Sequence, residues 1–340
     1  MATWWTTSNY LSSLVSDRIG YKSGLALSRE EIIDHLDAGD VVGEAIKTYS
    51  DEMIRIRTDK IEDAFQILLF RLGVISKPFV GHAPTLLCLE YANDKVASYK
   101  LNIILRLLGE THFDIGKRSI TDGFDRDKFM DLVKTELPEG GLFLAEKLID
   151  LTEQSEEASL WEWFNARSID WIKPVDLRAL FESESLNAMY GTFFDQRYID
   201  YLASNFDLIG EMNWRKFEAL TAEYFCRLGY DVELGAGRND GGIDVRVWKK
   251  GNKGSEPPIT LVQCKRENRK IGKVIVKSLW ADVVHEHAES GLIVTTSSLA
   301  PGAESVCKAR SYPVKSANRE NLKEWLNQLR TPGKGAFLGN

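Results

Sequence analysis

Two patterns of apolar spacing divide the chain. Up to about residue 204, apolar residues recur mostly every three or four positions, the period of a helix buried on one face. This spacing predicts helices over residues 29–36, 51–72, 97–108, 125–137 and 142–151. In the second of these, Ile54, Ile61, Ala64, Phe65, Leu68 and Leu69 form one stripe. Ser28, followed by Glu30 and Glu31, reads as a helix start with acids in the first turn. Residues 84–91 are short and apolar and fit either a strand or a buried helical turn. Residues 153–159 read as an acidic loop. The aromatic cluster behind it (Trp161, Trp163, Phe164, Trp171) reads as a core or domain interface rather than a base-stacking platform.

From residue 205 the period changes. Trp214, Phe217, Leu220, Thr221, Tyr224, Phe225 and Leu228 make one helical stripe, which Gly229 ends. Strand-like alternation follows over 230–234, then a turn-rich loop at 235–242 and a second strand at 243–248. A connection rich in Gly and Pro (249–258) leads to a third strand at 259–265. The rest reads as helix 272–287, strand 291–296, helix 301–310, a short strand 313–316 and helix 319–329. The order αβββαβαβα predicts a mixed sheet with helices on its faces, a three-layer α/β/α domain. The chain thus divides into a mainly α-helical domain (1–204), an α/β domain (205–333) and a flexible tail (334–340).

Composition narrows the class. A chain of 340 residues is long enough for two cores. Its 44% hydrophobic and 27% charged content is that of an ordinary globular protein. No apolar run approaches the ~18 residues of a membrane span. The N-terminus lacks the basic stretch and apolar core of a signal peptide. Cys88, Cys226, Cys264 and Cys307 are scattered without a CxxC pair, which argues against zinc and for a reducing, cytoplasmic compartment. The net charge of −7 is unevenly spread. From residue 205 onward, 21 Lys and Arg face 16 Asp and Glu (+5), and before it 22 face 34 (−12). The basic part suits a polyanion and the acidic part does not.

Candidate chemistry lies in the α/β part. Asp244 follows two glycines at the mouth of the second strand, where glycine lets a ligand come close to the backbone. Gln263 and Lys265 stand two apart on the third strand and share one face. The hairpin between these strands brings Asp244 near them. A carboxylate and an amide oxygen suit a hard cation such as Mg²⁺. Lys265 would steer a water and stabilise transition-state charge, while Glu218, on the preceding helix, would hold a water or a second ion. Taken singly, each of these is weak: a GGID turn is only a strand start, and QCK only a strand with polar alternates. Their order and company give the set its weight. Arg266, Arg269, Lys270, Lys273 and Lys277 continue from Lys265 as a basic run, suited to phosphate contacts that carry no sequence reading. Thr295, Thr296 and Ser297 fit either phosphate binding or capping of the next helix. His285 and His287 face different ways and read as surface residues, and Cys264 as a core thiol on the opposite sheet face.

The segments WRKFEALTAEYFCRLGYDVE, GRNDGGIDVRV, ITLVQCKR and GLIVTTSSLAPGAESVCKA, in this order, resemble the Mrr-type catalytic domain. That family belongs to the restriction-endonuclease-like superfamily of PD-(D/E)xK nucleases. The resemblance covers about the last third of the chain. It implies that the family's acid falls on Asp244, its Q-x-K pair on Gln263 and Lys265, and its helical glutamate on Glu218, with Glu223 as the alternative. Glutamine in place of the usual acid is itself the Mrr pattern. Asp240 matches the acid of the family's DGG turn and would shape that loop. The implied activity is a Mg²⁺-dependent DNA endonuclease, with Mn²⁺ as a substitute, acting in prokaryotic defence against foreign or modified DNA. The alternatives are a partner- or ligand-activated effector nuclease of a defence complex, a repair or junction nuclease, and a non-catalytic DNA-binding module. Expected partners are DNA and, through the acidic N-terminal domain, a protein or a second copy, with no membrane. Residues 1–204 carry no family pattern, so recognition, regulation or oligomerisation is left to them.

Overall fold

The computed structural model describes residues 3–48, 51–75, 78, 81, 83–112, 125–157, 173–238 and 241–330. The chain forms two compact units. One comprises Met1–Ser16, Ser28–Phe70 and Ile75–Ile169; the other comprises Asp17–Leu27, Arg71–Val74 and Asp170–Asn340. The position 204/205, where the composition changes, lies inside the second unit.

In chain order the first elements are β1 (Thr3–Thr7), α1 (Ser8–Ser23), β2 (Leu25–Ala26), α2 (Arg29–Asp34) and α3 (Val41–Lys47). They are followed by β3 (Met53–Arg57), α4 (Thr58–Arg71), α5 (Ala83–Glu90), α6 (Lys95–His112), α7 (Arg126–Glu136) and α8 (Gly141–Glu157). Helix α2 starts where its sequence says: Ser28 Oγ accepts the Glu31 N–H, and Glu31 accepts the Ser28 N–H in return. Helices α5 to α8 share a core built on Leu101, Ile104, Phe129, Val133, Ala145 and Leu148.

Two readings of this half change, and one left open is decided. Residues 53–57 are not helix. They form β3, antiparallel to β1 with Trp5 opposite Arg55. The stretch Met-Ile-Arg-Ile-Arg alternates, but its partner lies about fifty residues away, where local period counting does not look. Residues 84–90 fall in helix α5, the helical of the two alternatives left open for that stretch, and α8 carries residues 153–157, which read as part of an acidic loop. The Trp161–Trp171 cluster, Asp240 and the 334–340 tail lie outside the described residues.

The second unit continues with β4 (Val175–Asp176), α9 (Ala179–Glu182), α10 (Gln196–Ser204), a 3-10 turn (Phe206–Gly210) and α11 (Trp214–Arg227). Then come β5 (Asp231–Leu234), β6 (Val245–Trp248), β7 (Thr260–Lys265), α12 (Lys273–His285), β8 (Ser290–Thr295), α13 (Pro301–Ala309), β9 (Val314–Ala317) and α14 (Arg319–Leu329). From α11 onward this is the αβββαβαβα order of the sequence. The five strands form one sheet in the order β5-β6-β7-β8-β9, with two antiparallel junctions followed by two parallel ones. Leu261 and Ile293 pack on Val276, Leu279 and Val283 of α12 and Ala303 of α13 on one face. On the other face the Cys264 thiol meets Thr221 of α11 at 3.5 Å. Helix α11 ends at Gly229, whose φ of +89° suits glycine, with the Gly229 and Tyr230 N–H groups donating back to Cys226 and Phe225. No helix among the described residues is long and apolar enough to cross a membrane.

Candidate active site

Residues 216 to 223 of α11 are all buried. An ordinary amphipathic helix has a wet face, but this one has the sheet on one side and residues 183–194 on another. Its charged residues therefore need internal partners. Lys216 donates to the Ser185 carbonyl at 2.6 Å and lies over the Tyr198 ring, and burial pulls its pKa down. Glu223 accepts three main-chain N–H groups, from Thr192, Phe193 and Phe194 (2.9, 2.7 and 3.2 Å), and also pairs with Arg227. Its oxygens are committed to holding residues 192–194. Of the two helical acids, only Glu218 faces the catalytic strands.

Glu218 sits beside Asp244. Burial raises its pKa, an Arg215 hydrogen bond opposes this, and the Asp244 carboxylate raises it further, to about 8. Asp244 lies just before β6, and its Oδ2 accepts the Cys264 N–H at 2.6 Å. A side chain thus replaces a main-chain acceptor at the end of the β6–β7 ladder and fixes this carboxylate against the strand. Its own N–H donates to Val262 and its carbonyl accepts from Gly235.

Gln263 precedes that amide. It is buried, and its Oε1 has no hydrogen-bond partner among the described residues. Its Nε2 lies where Gly242 leaves room: a Cβ on Gly242 would stand 3.1 Å from it, at a φ of +90° that already favours glycine. Gly242 therefore lets the Gln263 amide come up to the loop. Lys265 is half-buried at the end of β7, and no ion pair or hydrogen bond of its ammonium ties it to the other three. Between Gln263 and Lys265, burial and then the Asp244 charge raise the Cys264 thiol pKa, as befits a core group.

These donors fit a hard divalent cation. A buried amide oxygen without a partner is costly, and so is keeping Glu218 and Asp244, buried side by side, both ionised. An ion with a preference for oxygen would relieve both. Among the described residues no group of three His, Cys, Asp or Glu side chains converges to hold a metal, so the amide is needed to complete the set.

Other candidates fare differently. Arg266 is exposed, but its Nη1 donates to the carbonyls of Gly210, Glu211 and Met212 (3.4, 3.2 and 2.7 Å) and so closes the 3-10 turn. Arg269, Lys270, Lys273 and Lys277 are exposed. Thr295 and Thr296 do not cap α13, whose N-cap is Ala300. Thr295 accepts from Ser297 and Thr296 donates to Glu267. Arg215, which sequence reading passed over, is bound to Glu218. The available signal was its spacing, since an i,i+3 pair lies on one helix face.

Residues 209–326 match a family described as restriction endonuclease, in its Mrr-type catalytic domain. An uncharacterized protein of Sinorhizobium fredii (strain NBRC 101917 / NGR234), y4cE, is 26% identical over 122 residues, which make up 36% of this chain and 31% of that protein. Among solved structures, the MspJI restriction endonuclease in complex with a 27-mer oligonucleotide is 21% identical. That match covers 41% of this chain and 32% of the other, with a TM-score of 0.29. The chain spans about a third of the length of each of these relatives. The α/β domain is of the restriction-endonuclease type, as its motifs imply.

Proposed function

We propose, from the restriction-endonuclease character of residues 209–326, that the protein is a metal-dependent DNA endonuclease. The observation that carries this reading is the buried pair of Glu218 and Asp244, together with a Gln263 Oε1 that has no partner among the described residues, on the strand to which Asp244 is bonded. Those three groups would hold a Mg²⁺ or Mn²⁺ ion. Such an ion, when bound, neutralises phosphate charge and acidifies an attacking water. Asp244 presents its carboxylate rigidly, because its Oδ2 is tied to the Cys264 N–H. Lys265, whose ammonium has no ion-pair partner among the described residues, stabilises negative charge developing on the phosphoryl oxygens. The exposed Arg269, Lys270 and Lys273, just past β7, contact backbone phosphates of the same duplex. The description restriction endonuclease supports a role in defence against foreign DNA.

A second reading, activation by a partner or ligand, draws on residues 183–194. These enter the catalytic domain from its N-terminal side and are bound to α11 through Lys216 and Glu223. A shift in that segment would move the helix that carries Glu218.

The test is cleavage of plasmid, phage and modified DNA by purified protein with Mg²⁺ or EDTA. Lys265→Ala is expected to lose at least about 10²-fold in rate while keeping its melting temperature, since no ion pair among the described residues is broken. Wild-type cleavage by Lys265→Ala, or cleavage that persists in EDTA, would sink the assignment.

A further inference from the structure

Arg215 stands three residues before Glu218 on α11. The helix N-cap, Asn213, accepts the Arg215 N–H at 2.9 Å, so its backbone is fixed. Its side chain is nearly buried, and the guanidinium makes two different bonds. Nη1 donates to Glu218 Oε2 at 2.7 Å and Nη2 to the Gly235 carbonyl at 2.6 Å. Gly235 in turn donates its N–H to the Asp244 carbonyl at 2.8 Å. One planar group thus joins the helical acid to the main chain paired with the strand acid. Gly237 closes over it. A Cβ there would lie 3.0 Å from Cζ and Nη1, so a larger residue would push the guanidinium off its seat.

We infer that Arg215 is a positioning residue for the metal site, holding Glu218 by one oxygen so that the other is left to Asp244 and a divalent cation. This inference rests on the nuclease reading above. The physical need is clear: once both are ionised, as a bound cation requires, the two buried carboxylates repel, and an unheld Glu218 would turn away from Asp244. Pinning Oε2 from the helix side leaves the other oxygen to the site. Both of Arg215's acceptors are placed for a flat, two-pronged donor. Lysine offers a single ammonium and cannot reach both in the same way.

The test measures metal binding apart from catalysis. Mn²⁺ is titrated into full-length protein by calorimetry for wild type, Arg215→Lys, Arg215→Met, Glu218→Gln and the Arg215→Lys/Glu218→Gln double variant. Melting temperatures and DNA affinity in EDTA are recorded alongside. Both Arg215 variants are expected to bind Mn²⁺ about 10–100-fold more weakly, the usual cost of losing a group behind a metal ligand. DNA affinity in EDTA should stay within about twofold. In the Glu218→Gln background, Arg215→Lys should cost less than about threefold more, because the two residues act as one unit. Wild-type Mn²⁺ affinity in both Arg215 variants would overturn the inference. So would tighter binding, which would make Arg215 a competitor for Glu218. An undiminished loss in the Glu218→Gln background would reduce Arg215 to general support of the fold. If wild type itself binds no Mn²⁺, the nuclease reading fails and takes this inference with it.

Discussion

The Asp244 carboxylate accepts the main-chain N–H of Cys264 at 2.6 Å, so the strand acid is both a ligand candidate and a structural cap. These two roles separate in substitution. Asp244→Asn keeps an oxygen for the Cys264 N–H and loses the charge. It is expected to melt near wild type and to lose at least about 10²–10³-fold in cleavage. Asp244→Ala leaves a buried N–H unpaired as well and should be destabilised by a further ~1–3 kcal/mol. Chemical denaturation with plasmid nicking on both variants checks this. Equal stability of Asn and Ala would show that the hydrogen bond contributes nothing.

The Glu218–Asp244 pair predicts an effect of pH on metal binding. Burial and the neighbouring carboxylate push Glu218 from 4.5 up to about 8. A folded-state value above the unfolded one means the folded site keeps a proton that the unfolded chain has released. Metal-free stability is therefore fully present below about pH 4.5 and falls as pH rises towards 8. A cation must displace that proton. The rise in melting temperature on adding Mg²⁺ is thus expected to be larger at pH 8 than at pH 6, and Glu218→Gln should flatten the difference. Scanning fluorimetry with and without EDTA reads it directly, and equal shifts at both pH values would contradict the shared site.

The basic run separates into two kinds of residue. Arg269, Lys270 and Lys273 are exposed, whereas Arg266 ties down the carbonyls of residues 210–212. Replacing the first three by Ser should weaken DNA binding alike for all sequences, with little loss of stability. The log–log salt slope should flatten by ~0.9 for each phosphate that the variant no longer neutralises. Arg266→Ser should instead lower the melting temperature. An unchanged slope in the triple variant would mark the run as an ordinary solvated face.

Truncation tests where the catalytic unit begins. A fragment starting at Asn205 has all of the αβββαβαβα core but lacks residues 183–194 and α10. It uncovers Lys216 and Glu223 on a helix that is otherwise buried, and removes the Gln196 bond to the Leu329 carbonyl. It is expected to aggregate or to melt without cooperativity. A fragment starting at Asp170 keeps these interactions, and also the buried pair of Arg197 with Asp195 (2.7 Å), though not the Gly24 carbonyl that Arg197 also meets. The expected stability order is full length, then 170–340, then 205–340. Circular dichroism melts check it. A cooperative 205–340 fragment as stable as 170–340 would show the N-terminal strap to be dispensable.

In the α/β unit the sequence by itself determined the element order, the end of α11 at Gly229 and the whole last helix, 319–329. Amphipathic stripes and glycine or proline breaks are local, so they are written in neighbouring residues. It also named Asp244, Gln263, Lys265 and Glu218, because strand period and motif order are local too. Tertiary structure decided what no window of neighbours contains. Residues 53–57 became a strand because Thr3–Thr7 lies beside them. Glu218 and Glu223, five apart on one helix, were told apart only by what packs on each: Arg215 and Asp244 on the first, the N–H groups of residues 192–194 on the second. Arg266 stood in the sequence as one more basic residue until the turn at 206–210 came to rest under it. A charged side chain's role is set by the partners that replace its water. Those partners come from distant parts of the chain, so periodicity identifies the residue type while only the folded packing assigns its role.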